Sequence, residues 1–416
     1  MVDSYVVRTI ESILPHESEH FLIVVTGARQ VGKTTLLKHS YPRFRYLNLD
    51  SVENRDFLLR QSESLWHTLI GPAILDEIQK QPELVEKVKY SWDSGALART
   101  AMTGSSHLLL LRHIRESLAG RVRLLELFAL GVGELTGLPA ASNLFDRLCD
   151  DEVDIARLAP ELLPEESARL RAAEEEVYRW GGMPALLGLG PEARKEWLAD
   201  YRSTYLQRDL VDLARLRDLL PFMTFQRISA LRVGGLVNFA DLARDAGLSA
   251  DTARRYLEYL RISYQTELLQ PWFANPGRRL VKTPKLVFLD MGLLRSISAT
   301  WELDSGEYFE NFLVAEMLKQ LRTLKKEARP FFWRTSNGAE VDIILETPRG
   351  IWGMEIKNRP EVGLRDARHL RALASELGPR WLGGLVLHRG SRIEALGEPN
   401  IWAMPSWRLF SGPRST

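Results

Sequence analysis

The stretch Gly27-Ala28-Arg29-Gln30-Val31-Gly32-Lys33-Thr34-Thr35 satisfies G-x-x-x-x-G-K-[ST] at every fixed position. Those residue types suit phosphate chemistry. Glycines let backbone N–H groups close around phosphate oxygens, Lys33 reaches the β- and γ-phosphates, and the Thr34 hydroxyl ligates Mg²⁺. An uninterrupted apolar run, Phe21 to Thr26, precedes the motif, and a stretch of helix-forming composition follows it. A chance glycine turn would lack both flanks, so ATP and Mg²⁺ are the expected ligands.

Asp76-Glu77 ends another apolar run, Ala73-Ile74-Leu75. Asp76 is expected to complete the metal shell and Glu77 to polarise the attacking water. Ser105, in Thr103-Gly104-Ser105-Ser106, is either a γ-phosphate sensor or a turn serine. Arg121, in Leu118-Ala119-Gly120-Arg121, is a candidate to neutralise transition-state charge from its own or a neighbouring subunit. It can equally be a surface arginine. Arg202 and Arg208 are further candidates.

A second constellation lies near the C-terminal end. Asn337-Gly338 between two strand-like runs signals a hairpin whose second strand carries Glu340-Val341-Asp342, and the next strand carries Glu355-Ile356-Lys357. Alternation puts Glu355 and Lys357 on one face, and Asp342 can join them. Two carboxylates for a divalent ion and a lysine beside the water suit metal-assisted phosphodiester hydrolysis, although Glu-x-Lys on a strand also serves as a plain ion pair.

Elements that would hold these residues are readable. Short apolar runs separated by helical stretches predict a parallel α/β core. Residues 160–220 read as helical, broken at Gly181-Gly182-Met183-Pro184, and are expected to form a lid. Phe239 to Ala246, a stop at Gly247, and a helix capped by Ser249 predict a helix-turn-helix. Its Arg254, Arg255 and Arg261, with Arg278, Arg279, Lys282 and Lys285 on a following wing, could contact DNA phosphates. A structural connector is the competing reading, because Tyr256, Leu257, Tyr259 and Leu260 require a core. His67, His107, His113 and His369 show no metal-binding spacing, and His369 is read as a helix-surface residue. Residues 408–416 are expected to fray.

The chain has 416 residues, enough for two or three domains, and its 55 basic against 54 acidic side chains exclude wholesale electrostatic attraction to nucleic acid. The lone Cys149 excludes an internal disulfide, and no apolar run spans a bilayer. With no signal-peptide pattern at Met1-Val2-Asp3-Ser4-Tyr5, a cytoplasmic location without membrane partners is expected.

The phosphate loop, Leu75-Asp76-Glu77-Ile78-Gln79, Thr103 to Ser106, Leu118 to Arg121, Gly181 to Pro184, Tyr205-Leu206-Gln207-Arg208-Asp209 and Phe288 to Leu293 together resemble prokaryotic AAA-type ATPases of the archaeal-ATPase-like branch. The resemblance implies a multi-domain α/β architecture. Its parts are a P-loop core (1–150), a helical lid (151–220), a winged-helix-like segment (221–300) and a restriction-endonuclease-like domain (301–416). The spacing Asp342-x12-Glu355-x-Lys357 resembles the PD-(D/E)xK nucleases, in which Asp342 and Glu355 would bind metal and Lys357 would act on water. Glu310 matches their additional acid, but the proline-aspartate dipeptide is absent. Two outputs compete: an ATP-regulated nuclease acting on DNA or RNA, and a nucleotide switch whose C-terminal domain docks a protein or nucleic-acid partner. A homo-oligomer is a candidate state because Arg121 could then act in trans.

Overall fold

The computed structural model describes residues 5–95, 99–104, 118–137, 143–150, 153–155, 162–206, 219–274, 283–335, 337–397 and 399–412. Ser105, Ser106, His107, His113, Arg208, Arg278, Arg279 and Lys282 lie outside them.

Strand β1 (Phe21–Thr26) is buried throughout, as a strand covered on both faces must be. It sits in a five-stranded parallel sheet with β2 (Arg45–Asn48), β3 (Ala73–Asp76), β4 (Arg99–Gly104) and β5 (Arg123–Glu126), in the order β2-β3-β4-β1-β5. Strand β4 thus separates the strand leading into the phosphate loop from the one carrying Asp76, and all three point their C-terminal ends the same way. Phe21, Ile23 and Val25 face one core, and Leu22 and Val24 face a smaller one with Leu47, Trp66 and Leu75. Helix α1 (Lys33–Ser40) leaves the loop directly.

Helix α2 (Pro164–Trp180) ends at Gly181-Gly182. A Cβ on Gly182 would stand 1.9 Å from the Leu130 carbonyl oxygen, and one on Gly292 would stand 2.0 Å from that of Trp180. Two close backbone approaches therefore require glycine. Helix α2 also reaches the far end of the chain: Tyr178 donates to Asp304 at 2.7 Å, and Glu175 pairs with Arg389. Its Glu174 is buried beneath Ser406 with Oε1 unpartnered, and burial pushes its carboxyl from 4.5 up to about 7. Stability from the protonated form is complete below about 4.5 and lost as pH rises through about 7. Glu174→Gln should therefore gain melting temperature over wild type at pH 8 but not at pH 5. Equal differences at the two pH values would rule this out.

Helices α3 (Leu220–Leu231), α4 (Phe239–Ala246) and α5 (Ala250–Ile262) precede an antiparallel ribbon of β6 (Thr266–Leu269) and β7 (Lys285–Phe288). Gly247 ends α4 at φ 65°, and the Ser249 hydroxyl caps α5. Helix α6 (Met291–Ser298) and the 19-residue α7 (Gly306–Leu324) lead into a mixed six-stranded sheet. Its strands are β8 (Arg329–Arg334), β9 (Glu340–Thr347), β10 (Gly350–Lys357), β11 (Trp381–His388), β12 (Glu394–Ala395) and β13 (Ile401–Pro405), in the order β12-β13-β11-β10-β9-β8. Helix α8 (Arg368–Leu377) packs Leu370 and Leu373 on one face, while Phe309 and Leu313 of α7 share the other core with Met354 and Ile356. The expectation that the chain frays from 408 onward is corrected as far as 412, because Trp407, Leu409 and Phe410 are buried in a 3-10 turn. That core is contiguous from Ile23 through Phe222 and Leu257 to Phe312 and Leu385.

Candidate active site

Three chain segments meet at the C-terminal ends of β1, β3 and β4. Gly27 lies so close to Leu127 that a Cβ would stand 2.1 Å from its carbonyl oxygen, and Gly32 takes φ 94° to launch α1. The buried Lys33 ammonium donates to the carbonyls of Gly27 at 3.0 Å and Ala28 at 2.8 Å. The Thr34 hydroxyl donates to both Asp76 oxygens at 2.9 and 3.0 Å, while Thr35 is exposed.

Asp76 is buried and accepts two more hydroxyls, from Tyr46 at 2.7 Å and Thr103 at 2.5 Å. Burial, reinforced by this bond to Asp76, pushes the Tyr46 hydroxyl pKa well above its ordinary range. Thr103 also accepts the Glu77 backbone N–H at 3.0 Å. Glu77 itself turns through φ 60°, and its carboxylate accepts from Gln79. An oxygen donor set of Thr34 and Asp76 fits a hard divalent cation.

The loop is braced from behind. Arg8 donates to the carbonyls of Val31 at 2.8 Å and Phe128 at 2.6 Å and pairs with Glu134 at 3.2 Å. Tyr201 donates to the Arg29 carbonyl at 3.1 Å. Tyr264 binds Thr26, the last residue of β1, at 2.8 Å and Glu126 at 3.1 Å. Arg322, near the end of α7, joins Glu126 at 3.0 Å and Glu267 at 2.6 Å.

Two expected cations are elsewhere. Arg121 precedes β5, whose Arg123 is level with Ile23, so it sits at the N-terminal edge of the sheet. Arg121 lies two residues before that level, and the four strand residues Ile23 to Thr26 lie between the level and the phosphate loop, on the order of 13 Å. There Arg121 pairs with Asp93 at 2.6 Å, and a role at its own phosphate site is corrected. Arg202 donates to the Ser296 carbonyl at 2.6 Å instead of turning to the loop.

At the C-terminal constellation the β9–β10 ladder ends at the pair Ile343 and Met354. Past that point the Asp342 carboxylate accepts the Ile356 N–H at 2.7 Å, beside Glu355 and Lys357. Lys357 donates to Glu355 Oε1 at 2.6 Å, while the buried Glu355 Oε2 has no partner. Burial and then Asp342 push the Glu355 carboxyl up to about 7, and burial and then Asp342 push that of Glu310 to about 8. Burial also raises Asp342.

Among the described residues no three His, Cys, Asp or Glu side chains are grouped to hold a metal ion. Glu310, expected as a metal ligand, pairs with Lys285 at 2.8 Å, and Lys285 also pairs with Glu340 at 2.6 Å. Lys285 is therefore buried and is not a wing contact for DNA phosphates. Arg261 is held by Glu267 and Glu258, and Arg254 by Asp251, whereas Arg255 is exposed. His369 lies on the helix Arg368–Leu377, half-buried and bonded to the Glu340 carbonyl at 2.9 Å.

Residues 19–136 match the model of the AAA domain, 171–303 that of a domain of unknown function (DUF8612), and 305–409 that of another (DUF4143). The chain is 30% identical over 353 residues to uncharacterized protein Rv2008c of Mycobacterium tuberculosis and to uncharacterized protein Mb2031c of Mycobacterium bovis. Each alignment covers 81% of this chain and 70% of the relative. The chain belongs to their family. Among solved structures it is similar to the Walker-type ATPase PABY2304 of Pyrococcus abyssi, at 15% identity and TM-score 0.42, covering 70% of this chain and 94% of that one. A point variant of RuvB from Thermotoga maritima matches at 18% identity and TM-score 0.27, covering 59% and 81%.

The AAA segment of this family member thus carries a P-loop of the ATPase type, with Asp76 held by three hydroxyls. Tyr46, Thr103 and Arg8 escape sequence reasoning because each acts across the sheet or from far upstream. Only Thr103 had a signal, its position at the end of a strand-like run. Among the described residues no helix is long and apolar enough to cross a membrane.

Proposed function

We propose that the chain hydrolyses ATP at the phosphate loop and that nucleotide state is passed to the C-terminal unit. What supports this most is the three-hydroxyl cradle of Asp76 beside Lys33, followed directly by Glu77. Backbone N–H groups of the loop and the α1 terminus receive the phosphates, and the Lys33 ammonium moves from the Gly27 and Ala28 carbonyls onto them. Thr34 and Asp76 hold the Mg²⁺ that accompanies ATP, which neutralises phosphate charge. Glu77 accepts the proton of the attacking water, with Gln79 fixing its carboxylate. Phosphate release from ATP by purified protein tests this, and no release with Mg²⁺ present would end it.

Within this proposal the chain divides into an AAA core (1–150), a lid (151–220), a winged-helix-like segment (221–300) and a nuclease-like domain (301–416). Tyr264 and Arg322 tie the end of β1 to α7, which gives nucleotide state a physical path to the last unit. Arg121 contributes only if a neighbouring copy presents its phosphate loop to it.

A second reading concerns the C-terminal unit: metal-dependent cleavage of DNA or RNA by Asp342, Glu355 and Lys357. The buried, unpartnered Glu355 Oε2 favours it. Cleavage of single- and double-stranded DNA and RNA with Mn²⁺ or Mg²⁺, with and without ATP, should be present in wild type and lost in Asp342→Ala. Absence of cleavage on every substrate, with ATP turnover intact, would leave the switch that docks a partner.

A further inference from the structure

Arg8 and Tyr201 lie outside residues 19–136, the segment that matches the AAA domain, yet each holds a carbonyl of the phosphate loop. Arg8 comes from upstream of β1 and is buried. One terminal nitrogen of its guanidinium donates to the Val31 carbonyl at 2.8 Å, and the other donates to the Phe128 carbonyl at 2.6 Å. Glu134 keeps that buried charge paired, and is itself fixed by the N–H groups of Thr9 at 2.7 Å and Gly131 at 3.0 Å. Tyr201 reaches the Arg29 carbonyl at 3.1 Å, and its ring stacks on Trp197 with centroids 5.2 Å apart.

In a planar trans peptide the C=O and the N–H that follows it point in opposite directions. The hold of Arg8 on Val31 therefore turns the Gly32 N–H away from the guanidinium, and the hold of Tyr201 on Arg29 turns the Gln30 N–H away from the phenol. Between the two holds Gln30 stands at φ 63°, and Gly32 follows at φ 94°. A side-chain-bearing residue keeps a left-handed conformation only where its surroundings over-determine it, and here the carbonyls on both sides of Gln30 are tied. Successive N–H groups in such a turn form a concavity that receives anions.

We propose that Arg8 and Tyr201 are positioning residues for phosphate: by tying the Val31 and Arg29 carbonyls from behind, they keep the Gly32 and Gln30 N–H groups aimed into the loop before nucleotide arrives. This rests on the reading of the loop as the nucleotide site, and it assigns part of the affinity to two side chains that touch no nucleotide. Without the holds, binding must first reorder the two peptides, and that cost is subtracted from the affinity. Tyr201 belongs to the segment proposed as the lid, so displacement of that segment loosens the grip on phosphate.

The test is the affinity of the full chain for ATP and for inorganic tripolyphosphate, each measured by calorimetry together with the number of molecules bound per chain. Arg8→Met should bind both about tenfold or more weakly than wild type, still with one molecule per chain. Tyr201→Phe keeps the stacked ring, loses one neutral hydrogen bond, and should bind both about threefold more weakly. An arginine that serves folding alone would instead reduce the number of molecules bound and leave the affinity of the remaining sites at the wild-type value. That result, or equal affinity and stoichiometry in wild type and Arg8→Met, overturns the proposal. A loss for ATP without one for tripolyphosphate overturns it too, because the effect would then lie at the nucleoside end. If Arg8→Met fails to fold, Tyr201→Phe decides, and wild-type affinity in that variant overturns the proposal. Wild type that binds neither ligand ends the phosphate-site reading and this proposal with it, whereas ATP that binds without being hydrolysed ends only the turnover reading.

Discussion

Lys33→Ala should bind ATP too weakly to turn it over, with phosphate release falling by about a hundredfold or more. The ammonium lies at the start of α1, where phosphate oxygens would meet it. The variant also loses the bonds from Lys33 to the Gly27 and Ala28 carbonyls. Charged-donor bonds of this kind contribute roughly 1.5–3 kcal/mol each when buried, so the melting temperature should fall as well. Binding of a fluorescent ATP analogue and phosphate release, measured well below that melting temperature, separate the two effects. Wild-type turnover in a correctly folded Lys33→Ala protein would defeat the assignment of the phosphate site.

Glu77→Gln should leave ATP binding near wild type while turnover drops by about 10²–10⁴. Glutamine keeps the size of the side chain and an oxygen that can still accept from Gln79, so the backbone turn at Glu77 has no reason to move. What it loses is the ability to take a proton. Because the Glu77 N–H is bonded to Thr103, which in turn bonds to Asp76, its position depends on the same hydrogen-bond chain that holds the metal-side carboxylate. A parallel loss of binding and turnover would instead mean that Glu77 serves the structure of the loop.

The phosphate loop was legible because all its chemistry is local: glycines, lysine and threonine lie within nine consecutive residues, and the flanking apolar run declares the strand. The C-terminal strands were legible for a related reason, since the Asn337-Gly338 turn does join β8 to β9, with Glu340 to Asp342 on β9 and Glu355 to Lys357 on β10. What stayed hidden was pairing across long separations. Tyr46 reaches Asp76 over 30 residues and Arg8 reaches Phe128 over 120, with no pattern in the intervening sequence to connect them. Lys285 was misplaced for the reverse reason. A lysine near a cluster of cations reads as solvent-facing, and only the neighbouring acids of α7 and β9 reveal that it is buried. Arg121 was misplaced because its distance from the loop depends on strand direction and register, which a motif does not carry.

Helix α7 also bears on how this family can change over time. Along one side it meets the AAA core through Glu316 on the Val132 N–H at 2.9 Å, through Gln320 exchanging two hydrogen bonds with Asn143 at 2.9 Å, and through Arg322 on Glu126. Lys326, just past its end, pairs with Asp146 at 2.6 Å. Each contact has one partner in the N-terminal half and one in the C-terminal half, and most are wholly or partly buried. The halves are therefore poor candidates for exchange between relatives as if they were beads on a string. A transplanted C-terminal unit would bring its own α7 to a foreign set of acceptors, stranding buried charges unless the matching positions on the core changed in the same step.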